Sequence, residues 1–160
     1  MIKQTNLFGD NIINYQISID VERLQEIVRE ETPKVKQLLN TLTTSGKNVI
    51  TDNSSIKIDE KNIQNELIDF YDSFIKKQES KIEILEKFVI DNSLYDDIDS
   101  ASDTLKLFIY SHQDRKSHKL TPNIFNILIQ EHTKGLKGDD KDVMKLLLFF
   151  LYRECFIGDK

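Results

Sequence analysis

Three histidines and one cysteine are the side chains of this 160-residue chain best suited to bind a transition metal. They are His112, His118, His132 and Cys155. Zinc sites usually take ligands from closely spaced pairs, such as residues i and i+4 of one helix or Cys-x-x-Cys. No pair here has that spacing. The sequence therefore predicts surface histidines, a buried thiol, no metal site and no cofactor.

Aspartates cluster in a Ser-rich stretch that could in principle bind a divalent cation: Asp91, Asp96, Asp97, Asp99 and Asp103. An EF-hand needs a glycine at its sharp turn and a glutamate at its last ligand position, and neither stands in the required place. A two-metal nuclease would also need a lysine or histidine near the carboxylates, and the stretch supplies none. The pattern favours a solvated acidic loop beside the N-terminus of the next helix.

Covalent catalysis would need an activated serine or cysteine beside a base. The chain has no Gly-x-Ser-x-Gly motif, and Cys155 lies in an apolar segment that disfavours the reactive thiolate. The stretch 135–138, Gly-Leu-Lys-Gly, is too short for a phosphate-binding loop and lacks a following Lys-Ser/Thr pair. These observations predict that the chain is not an enzyme.

A basic stretch at 112–119 is the best candidate for contacts with nucleic acid, through Arg115, Lys116 and Lys119. Asp114 dilutes its charge, and no interleaved aromatic residues follow that could stack on bases. The net charge of the chain is −5, which disfavours binding of phosphate backbones by the whole surface. A solvated loop is the favoured interpretation, and a nucleic-acid-binding regulator is the alternative.

Apolar and polar residues alternate near the start of the chain, on both sides of a turn signal at 9–11. This pattern predicts a β-hairpin appendage over residues 1–19. An isolated hairpin is marginal in water, so it would either pack on the helices or add strands to a neighbouring subunit. The second option makes its residues candidates for partner binding: Phe8, Gly9, Asp10, Asn11, Ile13 and Tyr15.

The remainder, residues 20–160, has the spacing of a helical domain, so the predicted fold class is mainly α, a helical bundle with the N-terminal hairpin. Its most regular segment predicts one long amphipathic helix over about 59–90, about 45 Å in length at 1.5 Å per residue. The predicted buried stripe steps by three and four residues through Ile63, Leu67, Phe70, Phe74, Gln78, Ile82, Leu85 and Val89, and it is widened by Tyr71, Ile75 and Phe88.

Prolines and glycines suggest where other helices begin and end. Thr32-Pro33 predicts either a kink in the first helix or the start of a second one. Thr121-Pro122 predicts a capped helix start, and Gly135 predicts the end of that helix. A last helix over about 141–156 is apolar almost all round, so its neighbours must cover most of its surface.

The single cysteine excludes a disulfide within the chain and favours a reducing compartment. The first residues lack the apolar core of a signal peptide. The most apolar run, 143–157, contains charged residues and is shorter than the roughly 20 residues that a bilayer requires. We therefore expect a cytoplasmic protein that does not span a membrane.

The C-terminal residues Tyr152, Cys155, Ile157 and Gly158 follow an apolar helix in a pattern that resembles bacterial ABC-three-component defence proteins of the Lamassu-like group. Phe156 stands where that pattern has an acidic residue. The opening residues 6–11, Asn-Leu-Phe-Gly-Asp-Asn, are similar to a short strand motif at the start of many prokaryotic conflict-system proteins. The resemblance implies a small component that couples an effector to an SMC-like ATPase, and it carries over no catalytic residue.

The first functional hypothesis is therefore a non-catalytic assembly subunit in antiviral defence, possessing protein partners and able to form homo-oligomers. Its predicted partner-binding residues are those of the hairpin together with Tyr152. The alternatives are the nucleic-acid-binding regulator and an acidic inhibitor or antitoxin that masks a partner protein.

Overall fold

The computed structural model describes residues 24–39, 55–112, 119–154 and 156–158, without the side chains of 55–57. Regular structure within these ranges is helical. The helices are α1 (24–39), α2 (Ser55–Gln64), α3 (Ile68–Phe70), α4 (Glu79–Asp91), α5 (Tyr95–Ser111), α6 (Pro122–Thr133) and α7 (Gly138–Arg153), with a π turn (Tyr71–Ile75) and a 3₁₀ turn (Lys76–Gln78) joining α3 to α4.

The predicted mixture of helices and a β-hairpin is wrong as a fold class, because the described ranges contain helices and no strand. The hairpin segment itself, 1–19, lies outside the described residues. A two-stranded hairpin is stable only when it pairs or packs with something else, and the described helices offer no strand edge for pairing. The predominance of helix is confirmed.

Helix α7 occupies the centre of the core, where α4 and α6 pack against it. From Leu146 to Arg153 each of its residues is buried, as are Val143 and Met144. The prediction of a helix covered on most sides is thus confirmed, although it begins at Gly138 and ends at Arg153. Among the described helices, none combines the length and the apolar character that a bilayer crossing demands.

The single long helix predicted over 59–90 is wrong, because the chain turns between α2 and α3. Glu66 adopts a positive φ of 57°, Leu67 N–H donates to the Asn62 carbonyl at 2.8 Å, and Glu66 N–H donates to the Ile63 carbonyl at 3.2 Å. This is a Schellman ending, in which a left-handed residue closes the helix. A glycine usually occupies that position, so a glutamate there gives no sequence signal.

The π turn also changes which side chains face the core. A π turn takes more residues per turn than an α-helix, so it shifts the buried face of everything on either side. Tyr71 and Ile75 are buried, whereas Phe74 of the predicted stripe is 56% exposed and Ile63 is 64% exposed. From Ile82 onward the predicted stripe and the buried face agree again.

The threonine–proline pairs behave differently in their two helices. Helix α1 runs without interruption through Pro33, and the Thr32 hydroxyl donates to the Val28 carbonyl at 2.6 Å. Pro33 therefore does not split the helix. At Thr121-Pro122 the predicted start of α6 is confirmed, since the Thr121 hydroxyl accepts a bond from Ile124 N–H.

Candidate functional site

The most unusual group of side chains is a buried polar cluster where the end of α7 meets α2. We call it the Lys61 cluster; it comprises Lys61, Asn62, Asn65, Tyr152 and Gly158. The four side chains are at most 4% exposed. Burial of so much polar surface is unfavourable unless every group is hydrogen-bonded, so the partners of each group decide what the cluster does.

The Lys61 ammonium group holds the chain that follows α7. Its Nζ donates to the carbonyl oxygens of Tyr152 and Ile157, both at 2.7 Å, and lies 4.5 Å from the centre of the Tyr152 ring. A cation at the C-terminal end of a helix also interacts favourably with the helix dipole. The aromatic face adds a cation–π contact. Lys61 is thus positioned as a structural clamp.

Two asparagines, Asn62 of α2 and Asn65 directly after it, extend the cluster to other elements. The Tyr152 hydroxyl donates to Asn62 Oδ1 at 2.8 Å. Asn65 Nδ2 donates to the Lys61 carbonyl at 2.8 Å, and Asn65 Oδ1 accepts from Leu120 N–H at 2.7 Å. The cluster therefore joins α2 both to α7 and to the segment that leads into α6.

Gly158 completes the cluster, because any side chain at its position would be strained. Its φ is +84°, which L side chains rarely adopt. A Cβ added there would lie 3.2 Å from Asn65 Oδ1 and 3.2 Å from the Tyr152 ring, closer than ordinary contact.

Phe156, which replaces the acidic residue of the resemblance pattern, packs as a core side chain. Its ring centre lies 5.4 Å from that of Tyr95 and 6.1 Å from that of Phe150. The substitution exchanges a charge for aromatic packing between α5 and α7. Cys155, the remaining residue of the pattern, lies outside the described residues.

The sequence-predicted site residues fall in three different situations. Tyr152 has no exposed surface, and its hydroxyl donates to Asn62 of the same chain. In this conformation its side chain is therefore not accessible to the predicted partner. Lys119 forms an ion pair with Glu66. The others lie outside the described residues: Phe8, Gly9, Asp10, Asn11, Ile13, Tyr15, Arg115 and Lys116. Their predicted roles stay predictions.

The candidate metal ligands are not brought together among the described residues. No group of three His, Cys, Asp or Glu side chains there could hold a metal ion. His132 is 1% exposed, its Nδ1 donates to the Leu128 carbonyl at 2.8 Å, and burial lowers its pKa. His112 ends α5 and stacks on Phe108 at 4.2 Å between ring centres.

The predicted acidic loop is in fact helical for most of its length. Helix α5 begins at Tyr95, within the stretch predicted as a loop, and places Asp96 and Asp97 in its first turn. Carboxylates there stabilise the positive end of the helix. Ile98 and Ser102 are four residues apart and both buried, so their spacing is the sequence signal that could have predicted this helix.

An ion pair fastens α7 to α4 beside the cluster. Arg153, 6% exposed at its side chain, donates from Nη2 to Glu86 Oε2 at 2.7 Å and from Nε to Glu154 Oε1 at 2.8 Å. Burial and then the charge of Glu154 raise the pKa of Glu86. Burial similarly raises the pKa of Tyr71 to about 12, so its phenol is neutral at physiological pH.

Sequence reasoning missed Lys61, Asn62 and Asn65. A weak signal existed, because these positions lie three, four and seven residues after the buried Ile58 and so share its helical face. Polar residues on a buried face are normally assigned to solvent, and only their partners in α7 identify them.

Comparison with known proteins accounts for the C-terminal pattern. Residues 13–158 match the family described as C-terminal domain 12 of the ABC-three component (ABC-3C) systems. No curated protein and no solved structure matches the chain. The predicted ABC-three-component resemblance is confirmed. Because the match covers most of its length, the chain belongs to the family of C-terminal domain 12 of the ABC-three component systems.

Proposed function

We propose that this chain is a non-catalytic assembly component of a bacterial antiviral defence complex, in which it joins an effector to an SMC-like ATPase. Family membership supports a component of a bacterial defence system with several protein parts. A protein of such a system needs surfaces that bind other components, and it needs no reactive group of its own.

The observation that carries the proposal is the use of the C-terminal residues on which the resemblance rests. Tyr152, Ile157 and Gly158 hold three parts of the chain together through Lys61, Asn62 and Asn65. A substrate would have no access to these atoms, because they are buried. The pattern therefore supports a domain whose signature residues maintain a fold that presents a surface.

The predicted alternatives gain no support from the described residues. Lys119 of the basic stretch is engaged by Glu66, and the rest of that stretch is not described. The inhibitor hypothesis, the cytoplasmic location and self-association stay predictions.

Co-expression with the proteins encoded beside it tests the proposal. The ATPase and the effector should co-purify with the tagged chain as a complex of defined mass in light scattering, and nuclease treatment should leave the complex intact. The isolated chain should turn over none of the nucleotides or nucleic acids offered to the complex. A chain that elutes alone, or a complex that nuclease dissolves, would contradict the proposal.

A further inference from the structure

A groove of about 450 Å³ lies between the end of α1, the start of α4 and one side of α7. Its floor is apolar and includes Leu39, Val143, Leu146 and Phe149. Residues with long polar side chains form its rim. Apolar grooves with a few polar groups at the edge are the usual form of a binding site in proteins.

The apolar surface continues beyond the groove through ring contacts. Phe149 lies 6.5 Å from Phe70, and Phe70 lies 5.0 Å from Phe74, between ring centres. Phe74 is 56% exposed because the π turn directs it outward. An exposed aromatic ring beside an apolar groove is the composition that binding hot spots favour.

The charges at the rim of the groove determine which kind of ligand it should bind. At the rim, Lys36 is neutralised by an ion pair with Asp139. Lys81 of α4 and Lys145 of α7 form no ion pair within the part of the chain that the structure describes, and one further carboxylate, Asp142, stands at the rim. The groove thus offers two ammonium groups in a chain whose net charge is −5.

We propose that this groove docks a segment of a partner protein that presents a bulky apolar side chain flanked by carboxylates. The inference rests on the proposed assembly function and specifies its surface. The apolar side chain would fill the space above Leu146 and Phe149, and the carboxylates would pair with Lys81 and Lys145. Cations that have no ion-pair partner among the described residues, beside an apolar floor, favour such a segment over a basic or uncharged one.

A zero-length carbodiimide, which couples an amine directly to a carboxylate, tests the chemistry in the purified complex of this chain with the ATPase and the effector. Mass spectrometry should find Lys81 or Lys145 joined to an aspartate or glutamate of one of these partners. Links only to the acids of another copy of this chain would overturn the proposal, because the occupant would then be a second copy. A complex in which neither lysine is linked would also overturn it.

Charge reversal of the two groove lysines, with a matched control, measures their contribution to partner binding. The double variant Lys81→Glu/Lys145→Glu should bind the partner at least about tenfold more weakly than the wild type. Lys87→Glu/Lys141→Glu makes the same change on exposed positions of the same two helices that do not line the groove, and should bind like the wild type. Phe74→Ala, which removes only an exposed ring, should also weaken binding.

The outcomes separate the two proposals. If the wild-type chain forms the complex and the groove variants bind equally well, the groove inference fails while the assembly function stands. If the wild-type chain forms no complex with either partner, the assembly function fails and the groove inference fails with it. If both double variants weaken binding equally, the effect is one of overall charge, and the groove is not the docking site.

Discussion

The Lys61 cluster and the groove use lysines in opposite ways. In the cluster, Lys61 is 2% exposed and donates to two backbone carbonyls. In the groove, Lys81 is exposed and Lys145 is partly buried, and neither has an ion-pair partner among the described residues. A buried cation must be satisfied within the fold, whereas an exposed one is solvated and keeps its capacity to bind. We therefore expect the Lys61 cluster to determine the stability of the fold and the groove to determine partner binding.

The largest effect should come from removing the buried cation. Lys61→Met keeps the length of the side chain but leaves two buried carbonyls without their donor, so the free energy of unfolding should fall by about 3 kcal/mol. Urea denaturation followed by circular dichroism measures it. Lys81→Met and Lys145→Met, in the groove, should each change it by less than about 0.5 kcal/mol. Equal losses at all three lysines would remove the distinction between the regions.

A second comparison separates close packing from backbone strain. Gly158→Ala should destabilise the protein by about 2 kcal/mol, because the new methyl group meets Asn65 and Tyr152 in a left-handed conformation. Gly135 has a similar φ of +81° but no atom within 4 Å of an added Cβ. Gly135→Ala should therefore cost only about 1 kcal/mol. Thermal and chemical denaturation of both variants test the difference, and equal losses would mean that Gly158 is required for its φ alone.

A smaller effect is expected from a single hydroxyl of the cluster. Tyr152→Phe removes the donor to Asn62 Oδ1 and should reduce the free energy of unfolding by about 1 kcal/mol. Tyr95→Phe is the control, because Tyr95 is 49% exposed and its ring contact with Phe156 survives. Partner binding should be unchanged in both variants, and a selective loss of binding in Tyr152→Phe would instead support the partner contact predicted from the sequence.

A last prediction extends the comparison to a buried group that must stay neutral and whose effect appears only at acidic pH. Because burial lowers the pKa of His132 below its ordinary value of 6.5, the unfolded chain takes up a proton first as the pH falls. The contribution of His132 to the free energy of unfolding should be constant above about pH 6.5. Below that pH it should decrease by at most about 1.4 kcal/mol per pH unit. His132→Gln should flatten the dependence between about pH 5 and 7, as measured by urea denaturation at each pH. An unchanged slope would exclude His132 as its source.

The elements that the sequence predicted well are those in which local chemistry and burial agree. The Thr121-Pro122 start of α6 depends on a side-chain cap and a proline at the first turn, both local. From Leu146 to Leu151 every residue of α7 is apolar and leaves no polar face, so a central position was the consistent interpretation. The resemblance at the C-terminus pointed to the family for a similar reason, since its residues lie within seven positions of one another.

The elements that the sequence predicted badly depend on backbone conformations that no particular residue type indicates. Glu66 and Ser93 both close helices with a positive φ, at 57° and 56°, and neither is a glycine or asparagine. The π turn at Tyr71–Ile75 exposes Phe74, which the predicted stripe of period 3.6 placed in the core, whereas Tyr71 and Ile75 are buried as that stripe predicted. Such features are decided by which apolar side chains find partners across the core.

The sequence by itself determined that the chain is mainly helical, that α7 is a buried helix and that the chain resembles the ABC-three-component family, to which its match over residues 13–158 assigns it. Helical periodicity and short motifs are properties of residues close together in the sequence, so they can be read along the chain. Only the tertiary structure decided that Lys61 is a clamp and that Lys81 and Lys145 border a groove. The three side chains are chemically identical, and what distinguishes them is the surface that the rest of the fold brings to each.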